Sequence, residues 1–242
     1  MKTLLKKIHW NVKINILYVA AITVLALFLC DKYMILHEEK IKYEELSQKY
    51  KVALYEEKID SNIESEDVKD EIIKMYHTNP QYSNLIDKMI EFEYLDFLIT
   101  MSESYDYNWT LFASIIYCES GFNSNAYNPS GAKGLMQLTK WVYTKDSDPF
   151  NEYQNIFLGI TYFHNLSENF RNKRYSKRDL LQFTIASYNC GYGTVIKSQK
   201  IAYENGNNEL KFTEVMNFLP EETVQYVTNV MKIYTDLSGT RI

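Results

Sequence analysis

Residues 109–138 read WTLFASIIYCESGFNSNAYNPSGAKGLMQL. The opening part, Trp109 to Cys118, is an apolar series with helical recurrence, and Asp106 and Asn108 just before it are candidate N-caps. Glu119 closes the apolar set Leu111, Phe112, Ala113, Ile115 and Ile116, a place where a carboxyl group loses water on at least one side. Desolvation penalises the charged form of a carboxyl and raises its pKa. A proton donor that works at neutral pH is therefore possible at this position. Taken alone, the position better fits a glutamate facing solvent at a helix end, since Glu is rarely buried.

The segments on either side repeat the helical theme. Asn79-Pro80 marks a turn, after which Leu85, Ile86, Met89, Ile90, Phe92, Leu95, Phe97 and Leu98 recur at helical spacing. Residues 152–168 and 178–188 are amphipathic, and Pro220-Glu-Glu is a favourable first turn for a last helix. Eight glycines and four prolines in 242 residues leave little room for tight turns, and no alternating strand pattern competes. The expected fold class is all-α, with one globular domain over residues 79–242.

Composition narrows the chemistry. With 46% hydrophobic and 24% charged residues the chain can bury a core, which argues against general disorder. A net charge of -5 argues against retention on nucleic acid, which needs clustered Lys and Arg. Cys30, Cys118 and Cys190 form no CxxC pair, and His9, His37, His77 and His164 are scattered without an HExxH pattern. Neither a thiolate zinc site nor another metal centre is expected. Gly191-Tyr-Gly193 lacks the third glycine of a dinucleotide loop, and no cofactor is expected.

The N-terminal part has its own organisation. Ile14 to Cys30 carries no charge and sits at the short end of what crosses a bilayer core. Lys2, Lys6, Lys7 and Lys13 precede it, so the positive-inside rule puts the N-terminus in the cytoplasm and everything after Cys30 outside. Leu27, Phe28 and Leu29 are too large for a cleavage site, so residues 1–30 are expected to be a cytoplasmic tail and retained transmembrane anchor. Residues 31–78, rich in Glu, Lys and Tyr, are expected to form a charged helical spacer. Leu36, Tyr43, Leu46 and Tyr50 make a short apolar seam along it, through which self-association or an envelope partner is conceivable.

The run from Glu119 to Leu138 resembles, almost position for position, the signature of SLT-type lytic transglycosylases, glycoside hydrolase family 23. Ile185-Ala-Ser-Tyr-Asn-Cys-Gly191 is similar to that family's Ala-Tyr-Asn-Ala-Gly motif, and Leu219-Pro-Glu-Glu-Thr-Val-Gln-Tyr226 to its closing Pro-Glu-Thr-x-x-Tyr motif. Asp148-Pro-Phe-Asn, Gln154-Asn-Ile and Gly159-Ile-Thr-Tyr-Phe resemble the segment between them, so the likeness covers about residues 85–237.

The resemblance implies a lysozyme-like helical domain with a cleft for a peptidoglycan glycan strand. It implies Glu119 as the catalytic acid and Tyr188 as the phenol that orients its carboxyl. It implies substrate binding by Ser120, Gly134, Leu135, Met136, Gln137 and Asn189, with Met136 and Gln137 facing the sugars. Ordinary glycosidases use two carboxylates; here only one is matched, and the resemblance implies that the nucleophile comes from the substrate, the C6 hydroxyl of N-acetylmuramic acid. The alternatives are a hydrolase similar to goose-type lysozyme and a glycan-binding scaffold without turnover. The chain departs from the family after Leu138, where Thr139-Lys-Trp-Val stands for Met-Pro-x-Thr; Trp141 fits either a sugar-stacking or a core-filling role. Cys118 and Cys190 also stand where the family reserves no cysteine, with free thiols expected and a disulfide the alternative.

Overall fold

The computed structural model describes residues 66–171 and 174–240. The helices in chain order are α1 (Glu66–Thr78), α2 (Ser83–Ile90), α3 (Leu95–Ser104), α4 (Trp109–Ser120), α5 (Glu152–Glu168), α6 (Lys177–Cys190), α7 (Tyr192–Glu204), α8 (Phe212–Val215) and α9 (Glu221–Ser238). Among the described residues, extended pairing is confined to two isolated bridges, Tyr127 with Lys133 and Lys133 with Leu138. The all-α expectation therefore holds for the described part of the chain.

Helix α4 is the axis. Asn108 caps it, its side-chain oxygen accepting from the Thr110 amide at 2.9 Å and the Thr110 hydroxyl at 2.6 Å. Asp106, the other candidate cap, instead takes a left-handed turn conformation at φ 60°. Every residue from Trp109 to Ile116 is buried, as expected of a helix that is apolar all round. Gly121 stops it in the left-handed region at φ 59°, a conformation glycine adopts without a Cβ penalty. The Lys88 ammonium of α2 donates to the Gly121 carbonyl at 2.7 Å and ties down the same end.

Helices α3 and α9 pack on α4, α6 packs on α9 and α5, and α7 packs on α6. Phe112, Phe163, Phe170 and Phe183 are completely buried between them, each burial worth roughly 2–3 kcal/mol. The Phe112 and Phe163 rings meet edge to face at 5.3 Å, and Tyr107 meets Phe112 at 5.4 Å.

The segment expected to be spacer up to residue 78 is helical from Glu66, and it is seated on the body. Ile72 and Met75 are buried, and the Trp109 indole donates to Glu71 at 3.4 Å, so the packed unit begins ahead of residue 79. The apolar face of α1 is too short for sequence periodicity to separate a docked helix from a solvated one. Among the described residues no helix is long and apolar enough to cross a membrane. The anchor expected at residues 14–30 and the seam at Leu36, Tyr43, Leu46 and Tyr50 lie outside the described residues.

Candidate active site

The packing of α4, α6 and α9 brings three side chains together: Glu119 from the last turn of α4, Tyr188 from the last turn of α6 and Tyr226 from the second turn of α9. The Tyr226 hydroxyl donates to Glu119 Oε1 at 2.6 Å, in the short range of bonds to charged acceptors. Burial lifts the Glu119 carboxyl from its ordinary 4.5 to about 7, and the Tyr226 bond, which favours the carboxylate, only partly offsets this. Among the described residues these two influences govern its titration. The group is thus poised to give and take a proton near neutrality.

Tyr188 stands near Glu119, but its hydroxyl has another partner. Its hydroxyl donates to the Met136 carbonyl at 2.7 Å, not to Glu119. The reason lies in the loop: its turn bonds run from Gln137 N to Gly134 O and from Leu138 N to Lys133 O, and the Met136 carbonyl takes the phenol instead. The Tyr188 ring lies beside Tyr162 and Phe163 of α5, at 5.7 and 6.0 Å between centroids. Burial, and next the charge of Glu119, hold both phenols well above the ordinary tyrosine range, so each remains a neutral donor.

Asn155, in the first turn of α5 and almost fully buried, organises the loop. Its side-chain oxygen accepts from Met136 N at 2.8 Å. Its amide nitrogen reaches Pro149 O at 2.9 Å, Lys133 O at 3.1 Å and the Tyr143 hydroxyl at 3.1 Å. Gly134 stands at φ 76°, and a Cβ there would lie 2.2 Å from Asn155 Nδ2 and 2.3 Å from the Pro149 carbonyl, which accounts for the glycine.

The remaining expected site residues divide into two groups. Gly134, Leu135 and Met136 are buried, and the Met136 thioether fills the notch above Gly159, where a Cβ would lie 2.3 Å from Sδ. Met136 therefore faces the core and not the sugars, because the missing side chain of Gly159 draws the flexible thioether inward. Gln137, at φ 47°, spends its amide nitrogen on Ala126 O at 3.1 Å and Gly134 O at 3.0 Å. Ser120 is half-buried, and its hydroxyl bonds Ile116 O at 3.2 Å within its own helix. Asn189 is exposed, with its oxygen accepting from Thr223 at 2.8 Å. Cys118 and Cys190 are both free thiols. Burial, followed by the Glu119 charge, pushes the Cys118 thiol up to about 11, so it is not a thiolate nucleophile at neutral pH.

Two contributors carried no expected role: Tyr226 and Asn155. Both stand in stretches that sequence reading singles out, the closing motif and Gln154-Asn-Ile, but their partners lie 107 and 19 residues away.

Part of the chain is similar to known proteins. Residues 96–211 match the family described as Transglycosylase SLT domain. The chain is 32% identical over 156 residues to the membrane-bound lytic murein transglycosylase F of Desulfosudis oleivorans, covering 64% of this chain and 32% of that protein. It is 30% identical over 146 residues to the protein of the same name from Haemophilus influenzae, covering 60% and 27%. The chain spans about a third of the length of these curated relatives. Among solved structures it is similar to an inactive glutamate-to-glutamine mutant of the lytic transglycosylase Slt from Pseudomonas aeruginosa, at 24% identity and TM-score 0.49 over 62% of this chain and 25% of that one. The soluble lytic transglycosylase of Escherichia coli is similar at 22% identity and TM-score 0.49, over 63% and 25%. Residues 96–211 therefore form a transglycosylase SLT domain.

Proposed function

We propose that the chain is a peptidoglycan lytic transglycosylase that cleaves the β-1,4 bond from N-acetylmuramic acid to N-acetylglucosamine and leaves 1,6-anhydromuramic ends. The observation that carries this reading is Glu119: one carboxyl, lifted to about 7 by burial and held by Tyr226. In the first step the protonated carboxyl donates to the glycosidic oxygen as the bond to C1 breaks. Glu119, now a carboxylate, then takes the proton of the C6 hydroxyl as that oxygen bonds to C1 of the same sugar. The proton count closes, and no water is consumed. The internal hydroxyl has the high effective concentration of an intramolecular nucleophile, so one carboxyl suffices. Tyr226 steadies the carboxyl through both charge states, and Tyr188 holds the Met136 backbone at the edge of the site. With the Asn189 oxygen bonded to Thr223, its amide nitrogen is the group left for a sugar acceptor.

This reading places the domain outside the cytoplasmic membrane, where peptidoglycan lies, with residues 14–30 as a single-pass anchor and the charged stretch up to α1 providing reach. The name of the relatives, membrane-bound lytic murein transglycosylase F, supports the same location. Incubation with purified peptidoglycan, followed by mass spectrometry of the released muropeptides, tests the chemistry. Wild-type protein is expected to release fragments one water lighter than hydrolytic fragments, and Glu119→Gln to release none. Fragments with reducing ends would establish the hydrolase instead.

A further inference from the structure

The loop that passes the active site carries a second feature on its outer side. Among the described residues the exposed large apolar side chains are Tyr127 at 61%, Trp141 at 84% and Tyr203 at 66%. Two of these three belong to the segment between α4 and α5, and Trp141 is plainly not filling the core. Each of the two rings keeps an ammonium beside it. Lys140 Nζ lies 4.9 Å from the Trp141 ring centroid, and Lys133 Nζ lies 6.0 Å from Tyr127 and 5.7 Å from Phe150.

The segment is held in place. Tyr143, two residues beyond Trp141, donates its hydroxyl to Lys133 O at 3.0 Å and accepts from the buried Asn155. Lys133 is itself bridged to Tyr127 and to Leu138. One buried amide therefore fixes both the Met136 backbone next to Tyr188 and the base of the loop that displays Trp141. An indole left in water forgoes the gain of burial, and here it is presented on a loop pinned at its base.

We infer that Trp141 with Lys140, and Tyr127 with Lys133, bind the glycan strand beyond the sugars at Glu119, the rings stacking on sugar faces and the ammonium groups meeting carboxylates of the peptide stems. This assignment rests on peptidoglycan being the substrate. Amphipathic rings with a flat apolar face and a neighbouring cation suit a polymer of sugar rings that carries acidic peptides. An anionic lipid surface suits them less. The exposed large side chains are tyrosine and tryptophan with no aliphatic among them, and the chain has a net charge of -5.

The test is co-sedimentation of the full chain with purified, insoluble peptidoglycan in a Glu119→Gln background, so that binding is read without turnover. Trp141→Ala is expected to weaken binding roughly five- to tenfold, and Trp141→Phe, which keeps a stacking ring, to stay within about twofold of the parent. Lys140→Gln is expected to weaken binding about two- to threefold and to flatten its salt dependence. Melting temperatures of all three are expected to match the parent, because the residues are exposed. Binding by Trp141→Ala equal to the parent would overturn the assignment, as would equal losses with Ala and Phe. Trp141-dependent sedimentation with phosphatidylglycerol-phosphatidylcholine vesicles, with peptidoglycan binding unchanged, would overturn it in favour of a lipid face. If wild-type protein released no muropeptides while binding still depended on Trp141, the proposed chemistry would fail and the binding surface would stand.

Discussion

Glu119 and Tyr226 form the smallest unit that explains the site. The carboxyl sits at the end of an apolar helix, and burial alone would raise its pKa beyond about 7; the phenol pulls it back. Removing the phenol with Tyr226→Phe is therefore expected to raise the Glu119 pKa. The falling limb of the pH-rate profile, where the acid loses its proton, should move to higher pH, and kcat should fall about tenfold. The same burial has a cost in stability. An unfolded chain releases this proton near 4.5 and the folded one near 7, so between those values the folded state holds a proton that the unfolded state has lost. Stability contributed by the group is thus lost as pH rises through that window, by on the order of 2–3 kcal/mol once partial exposure is allowed for. Chemical denaturation should show Glu119→Gln close to wild type below pH 4.5 and more stable than wild type above pH 7, and the reverse order would exclude a buried, proton-holding glutamate. Sequence reading reached Glu119 because its apolar approach is local. The motif alone points to Tyr188 as the orienting phenol, because only the packing of α9 along α4 brings the Tyr226 hydroxyl to the carboxyl.

At the scale of elements, the helices were legible and the loop only partly so. Asn108 as cap, the apolar run of α4 and the start of α9 after Pro220 are local features, and each stands where expected. Met136 is different: its motif is visible, but its direction is set by a notch at Gly159 on another helix. Two glycine substitutions separate the kinds of constraint. Gly134→Ala combines positive φ with a Cβ 2.2 Å from Asn155 and 2.3 Å from a backbone carbonyl, so a loss of about 3 kcal/mol or more is expected, together with most of the activity. Gly159→Ala meets the end of a flexible methionine, so about 1–2 kcal/mol is expected, with activity largely kept. Urea unfolding with a turnover assay on both variants checks the ordering; equal losses would mean that the Asn155 cradle is not what fixes the loop. Trp141, whose role the sequence left open between core and surface, is displayed because Tyr143 and Asn155 pin the chain on either side of its turn.

At the scale of the molecule, the domain reaches back further than its motifs. α1 docks through Ile72 and Met75 and contributes Glu71 to the indole of Trp109, at the opposite end of the helix that presents Glu119. A chain starting at residue 79 is therefore expected to melt several degrees below one starting at residue 66, since two buried aliphatic side chains contribute about 2–4 kcal/mol together. Equal melting temperatures would return α1 to the role of a solvated spacer. The proposed function rests on one carboxyl performing two proton transfers with no water in the balance. The most direct measurement is digestion of peptidoglycan in water enriched in the heavy isotope of oxygen, with the muropeptide masses compared with those from ordinary water. Products with identical masses in the two solvents, each ending in an anhydro sugar, are expected. Products that gain one heavy oxygen at the new sugar end would contradict the internal closure and make Glu119 the acid of a hydrolase.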